Sequence, residues 1–176
     1  SPYSIRYNMS IDEMNEIKQE YLSLINETPQ IRAATPRDFL GPSSISLEMN
    51  NIMKIEENSN SINIRDPYTI TDKADGERKL LFISKKGKMY LIDTNLSIQF
   101  TGCISTKNFN TLIDGEHVLY DKHGKYINKY FAFDLYYYHK EDWRIYPFIF
   151  IDDMKYKIKM DINKFRLKKL TEIING

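Results

Sequence analysis

The chain has 176 residues, the length of one domain or of one large lobe of a bigger protein. Apolar residues make up 41% and aromatics 13%, which excludes a disordered segment, and a net charge of +1 excludes a global basic field, so any nucleic-acid contact must come from a local patch. One cysteine, Cys103, and three scattered histidines, His117, His123 and His139, exclude an internal disulfide and argue against a zinc site.

Ser1 is not an initiator Met, so a piece excised from a longer chain is expected. No run is apolar enough to span a bilayer and no signal-peptide pattern opens the chain, so no membrane partner and a reducing, cytoplasmic setting are expected. Ser10-Ile11-Asp12-Glu13 has the spacing of a capping box, with apolar residues recurring at Ile11, Met14, Ile17, Tyr21, Leu24 and Ile25 on one helical face. Thr35-Pro36 starts a short second helix that Gly41-Pro42 stops. Residues 43–47 read as a strand and 56–60 as a polar loop.

From Ile62 onward the pattern changes to strands and tight turns, and thirteen Tyr and nine Phe suit β structure. Strands are predicted over 68–71, 79–84, 89–92, 111–120 and 130–138, with turns at Lys85-Lys86-Gly87-Lys88 and Asp121-Lys122-His123-Gly124-Lys125. Short turns between successive strands imply an antiparallel sheet. Residues 163–174 read as a helix closed by Asn175-Gly176. The expected fold class is α+β: an antiparallel-sheet lobe with peripheral helices.

Three segments carry chemistry. In Thr71-Asp72-Lys73-Ala74-Asp75-Gly76-Glu77-Arg78, a lysine between two strands becomes a nucleophile when cationic neighbours and desolvation lower its pKa. Arg78 is such a neighbour and suits phosphate geometry, and Gly76 permits close backbone approach to a ligand. A charged Asp-Gly turn explains the same residues equally well. In Leu112-Ile113-Asp114-Gly115-Glu116-His117, a glycine in mid-strand marks a bulge or close approach, and Glu116 is a candidate for ribose hydroxyls or a divalent ion; the bland alternative is a hairpin whose acids face water. In Tyr130-Phe131-Ala132-Phe133-Asp134-Leu135, alternation puts Phe131 and Phe133 on one face and Tyr130, Ala132 and Asp134 on the other. An aromatic on a pocket face can stack on a purine, while plain core packing suits at least one of the two phenylalanines.

A KxDGxR loop, an apolar-DGE strand and an aromatic-FD strand in this order resemble the covalent nucleotidyltransferase superfamily of mRNA capping guanylyltransferases and polynucleotide ligases. Gly41-Pro42-Ser43-Ser44-Ile45-Ser46-Leu47-Glu48 and Arg144-Ile145-Tyr146-Pro147-Phe148 resemble the guanylyltransferase domain of large DNA virus capping enzymes. The resemblance implies an ATP-grasp-like ligase and capping-enzyme fold, with 1–40 as a helical linker and 41–176 as the nucleotidyltransferase domain. It implies GMP transfer from GTP through Lys73 to a 5′-diphosphate RNA, with Mg2+ or Mn2+ as cofactor. Arg78, Glu116 and Phe133 would bind the nucleotide, Glu116 being also the candidate metal ligand, and Thr71 or Asp72 would help read the base. Triphosphatase and methyltransferase domains in the same parent polypeptide are further expectations, as is a setting in host cytoplasm, viral factory or virion.

The chain departs from that pattern in its late motifs. The carboxylate strand and the KxK strand are absent from their places, Lys155-Tyr156-Lys157 comes too early, and no sequence remains for an OB-fold lobe. An ATP-using ligase domain and a degenerate nucleotide- or RNA-binding module therefore stand as alternatives. A P-loop NTPase or protein kinase fails for lack of its glycine-rich loop.

Overall fold

The first described helix, α1 (Ile11–Asn26), begins where Ser10 Oγ accepts a hydrogen bond from the Glu13 N–H at 3.1 Å. The reciprocal half of the predicted capping box does not form. Glu13 instead accepts from Lys88 Nζ at 3.1 Å and Tyr90 Oη at 3.0 Å, which holds its carboxyl below the usual range and fastens the helix to the sheet. The helix ends at Glu27, whose φ of 58° is left-handed and whose N–H donates to Leu24 O.

The computed structural model describes residues 8–42, 76–150, 161 and 163–176. Segments Ser1–Leu40 and Ala74–Gly176 make one compact unit and Gly41–Lys73 a second. The strands expected over 43–47 and 68–71, the loop at 56–60, the basic stretch at 155–157, and Thr71, Asp72 and Lys73 lie outside the described residues.

Pro36–Asp38 form a single 3-10 turn rather than an α-helix, because Gly41 and Pro42 follow too soon for a second turn. Asp38 closes it: its carboxylate accepts from the Thr35 N–H at 2.8 Å and from both terminal nitrogens of Arg32 at 2.6 and 2.8 Å. Those Arg32 bonds lead in pushing the Asp38 pKa down to about 2.

The sheet has six antiparallel strands: β1 (Glu77–Ile83), β2 (Lys88–Asp93), β3 (Ile98–Ile104), β4 (Thr111–Tyr120), β5 (Tyr126–Tyr138) and β6 (Glu141–Asp142), in the spatial order β3-β2-β1-β4-β5-β6. The predicted turns join β1 to β2 and β4 to β5, with Gly87 and Gly124 at φ 84° and 77°. Strands β3 and β6 lie outside the predicted strands, β1 starts two residues before the predicted 79 at its charged end, and β5 starts four residues before the predicted 130. A second helix, α2 (Arg166–Asn175), replaces the predicted 163–174.

Both faces of the sheet are covered. On one, Leu80, Phe82, Tyr90, Ile92 and Leu112 pack with Ile17, Tyr21 and Leu24 of α1. On the other, Ile113, Leu135 and Trp143 pack with Leu170 of α2. Period-two alternation along β1 and β4 sorts these residues to opposite sides. The result is an α+β fold with an antiparallel sheet between two helices.

Candidate functional site

The α1 face of β1 and β4 continues past its apolar part into charge. Phe82 pairs with Leu112, then Leu80 with Asp114, then Arg78 with Glu116. Directly opposed residues of an antiparallel pair share a face, so Arg78, Asp114 and Glu116 stand together at one end of this core. Asp114 is 7% exposed and Glu116 8%, so the acids of the DGE segment do not face water as a plain hairpin would have them.

Buried acids demand partners. Asp114 accepts a two-pronged bond from Arg78, from Nε at 3.2 Å and Nη2 at 2.9 Å, and a third from Tyr136 Oη at 2.8 Å. Burial works against the Arg78 charge, yet the Asp114 carboxylate holds the guanidinium pKa above its ordinary value. Burial beside the same carboxylate raises the Tyr136 phenol, so it stays a donor. Arg78 is thus a fixed cation, gripped at one edge by Asp114. Neither Asp114 nor Tyr136 was singled out from sequence. The pairing of positions 78 and 114 depends on strand register, which local pattern does not print.

Both motif glycines sit where backbones come too close for a side chain. A Cβ on Gly76 would lie 2.7 Å from His117 O, and one on Gly115 would lie 2.2 Å from Phe131 O and 2.7 Å from the Tyr130 ring. Tyr130 uses that space to cross behind the site, its hydroxyl reaching Lys79 O at 2.8 Å and Ile113 O at 3.2 Å. Burial raises its phenol well above the ordinary range. On the same rear side Lys79 Nζ donates to His117 Nδ1 at 3.1 Å, which leaves Nε2 to donate to Asn128 Oδ1 at 2.7 Å.

The expected alternation of Phe131 and Phe133 fails. Asp114 opposes Asp134 and Gly115 opposes Ala132, so Phe133 is the extra residue of a bulge. Phe131, opposite Glu116, therefore shares a face with Asp134, contrary to the prediction. Phe131 is 41% exposed and Phe133 half-buried, and neither belongs to the two apolar cores, so core packing claims neither ring. Asp134 accepts from Arg166 Nη1 at 2.9 Å, and burial raises its carboxyl despite that cation.

Among the described residues no three His, Cys, Asp or Glu side chains are grouped to hold a metal ion. Asp114 and Asp134 already serve arginines, and a single buried Glu116 does not compose a cation site. The described residues therefore do not by themselves fit a divalent ion. A cavity of about 740 Å³ between α1 and the opposite ends of the strands is lined by Glu16, Glu20, Lys85, Asn110 and Lys140, away from Arg78 and Glu116.

Fold and site together define an α+β protein whose antiparallel sheet ends in a registered cluster of one arginine and two carboxylates, just after a lysine-bearing segment. The chain belongs to the family described as mRNA capping enzyme, catalytic domain, which matches residues 5–174. It is also similar to the probable mRNA-capping enzyme of Acanthamoeba polyphaga mimivirus, 30% identical over 108 residues. That match covers 60% of this chain but only 8% of the relative's length.

Proposed function

We propose that this chain is the guanylyltransferase part of a larger viral capping enzyme, taking GMP from GTP onto Lys73 and passing it to the 5′-diphosphate end of RNA. The observation that supports this most is the direct pairing of Arg78 with Glu116 across β1 and β4, with Asp114 anchoring the arginine. Lys73 precedes that pair by five residues in the KxDGxR segment.

In this reading the neutral Lys73 amine attacks the α-phosphorus of GTP. The N–P bond forms, the P–O bond to pyrophosphate breaks, and the amine gives up a proton. A terminal oxygen of the RNA diphosphate then attacks the same phosphorus, the Lys73 nitrogen takes back one proton, and the N–P bond breaks to release the neutral amine. Arg78 meets nucleotide oxygens with a charge already oriented, which is where electrostatic stabilisation is most effective. Glu116 accepts ribose hydroxyls, Phe133 stacks on the base, and Thr71 or Asp72 contributes to base choice. Residues 41–176 carry this chemistry, and triphosphatase and methyltransferase modules belong to the same parent polypeptide. Mg2+ or Mn2+ belongs in the assay because phosphoryl transfer from nucleoside triphosphates generally relies on one.

The test is incubation with α-³²P-GTP or α-³²P-ATP and Mg2+ or Mn2+, then a denaturing gel, with the parent chain beside this one. Covalent label from GTP and not ATP, absent in Lys73→Ala, is expected. Label from ATP alone would make the chain a ligase domain, and label retained by Lys73→Ala would remove that lysine from the chemistry.

A further inference from the structure

Arg78 is fixed by groups from three separate stretches of chain. Asp114 grips its Nε and Nη2 edge, Tyr136 braces Asp114, and the Phe39 ring lies with its centroid 5.3 Å from the guanidinium carbon. The carboxylate controls the guanidinium within its plane, and a ring at that distance limits rotation out of it.

The placement of Phe39 is itself built. Tyr21, fully buried on α1, donates its hydroxyl proton to Asp38 O at 2.5 Å and accepts from the Leu40 N–H at 2.9 Å. The backbone is thus pinned on both sides of Phe39. Its own N–H donates to Pro36 O at 3.2 Å, and Arg32 holds Asp38 in the preceding turn. Phe39 is half-buried and packs against the α1-side core, so its ring has one side in the core and the other toward Arg78.

We propose that Phe39 is a positioning residue for nucleotide binding: held by Tyr21, its ring keeps the Arg78 guanidinium oriented before GTP arrives. An arginine left free would lose rotamer freedom on binding, and a pre-ordered one does not. The short turn that carries Phe39 is then part of the site rather than a connector to it. The inference rests on the guanylyltransferase reading and adds to it the source of the arginine's order.

The experiment uses the parent chain and follows formation of the GMP adduct against GTP concentration, with Tm recorded for each variant. Phe39→Leu keeps apolar bulk and removes the ring; it should raise KM for GTP about two- to thirtyfold, with little change in maximal rate or Tm. Phe39→Tyr should restore the wild-type KM. In an Arg78→Met background Phe39→Leu should add nothing further. Unchanged KM in Phe39→Leu, an equal effect without Arg78, or a loss in both Phe39 variants that follows Tm would overturn the proposal. The NMR shift of the Arg78 Nε–H supplies a readout independent of turnover. It should lose a ring-current displacement in Phe39→Leu, and an unchanged shift would overturn the contact itself. A wild-type parent that takes no label from GTP would instead defeat the functional reading, while leaving that shift in place.

Discussion

Between Phe82 and Arg78 the two central strands keep one pairing and change character. At one end Phe82 meets Leu112 and Leu81 meets Ile113, all buried or nearly so, with helices over both faces. At the other, Lys79 meets Gly115 and Arg78 meets Glu116, and the buried groups are ionic. The apolar end contributes stability through area removed from water, while the polar end requires every charge to find a partner in the fold. The candidate site therefore borrows its rigidity from the apolar half. The apolar half sets the register, and register alone brings Arg78, Asp114 and Glu116 together.

The sharpest way to break this arrangement is at the glycine where the two halves meet. Gly115→Ala places a methyl 2.2 Å from Phe131 O, a backbone atom that cannot swing aside, and should destabilise the protein by on the order of 4 kcal/mol in urea titrations. In the apolar half, Leu112→Ala empties a fully buried position and should cost about 3 kcal/mol, with nucleotide affinity preserved in the fraction that stays folded. In the polar half the balance should reverse. Phe133→Ala should weaken GTP binding by about 1–3 kcal/mol in calorimetry while lowering stability by less, because its bulge residue lies outside both cores. A larger loss of stability than of affinity would return Phe133 to the core.

The smallest effect belongs to the turn that carries Phe39. Asp38→Ala removes the acceptor for Thr35 N–H and should cost about 1 kcal/mol at neutral pH. Its carboxyl is depressed in the fold, so its contribution is complete above the unfolded value of about 3.9 and disappears as pH falls through about 2. The stability gap between wild type and Asp38→Ala should therefore close between about pH 4 and pH 2; a gap constant across that range would remove the ion pair from the account.

Much of the sheet was legible because turns announce themselves. Lys-Lys-Gly-Lys and Lys-His-Gly-Lys put a glycine at the left-handed position, and the strands on either side follow. Strand β3 was missed because Thr101, Gly102 and Cys103 break its apolar alternation, and its pairing with β2 shifts between Lys88 and Tyr90. The head of β1 was missed because Glu77 and Arg78 look like a loop to any hydrophobic pattern. The motifs name Arg78 and Glu116 as candidates, and register puts them side by side. Asp114's grip, the bulge at Phe133 and the approach of Phe39 were not legible. Each depends on which distant residues the fold makes neighbours, and no local spacing encodes that.

The most direct measurement is to digest the protein after reaction with GTP and locate the modified residue by mass spectrometry. A single GMP adduct is expected, on the peptide containing Lys73 and on that side chain. An adduct on any other lysine, or an AMP adduct formed in preference when both nucleotides are present, would contradict it.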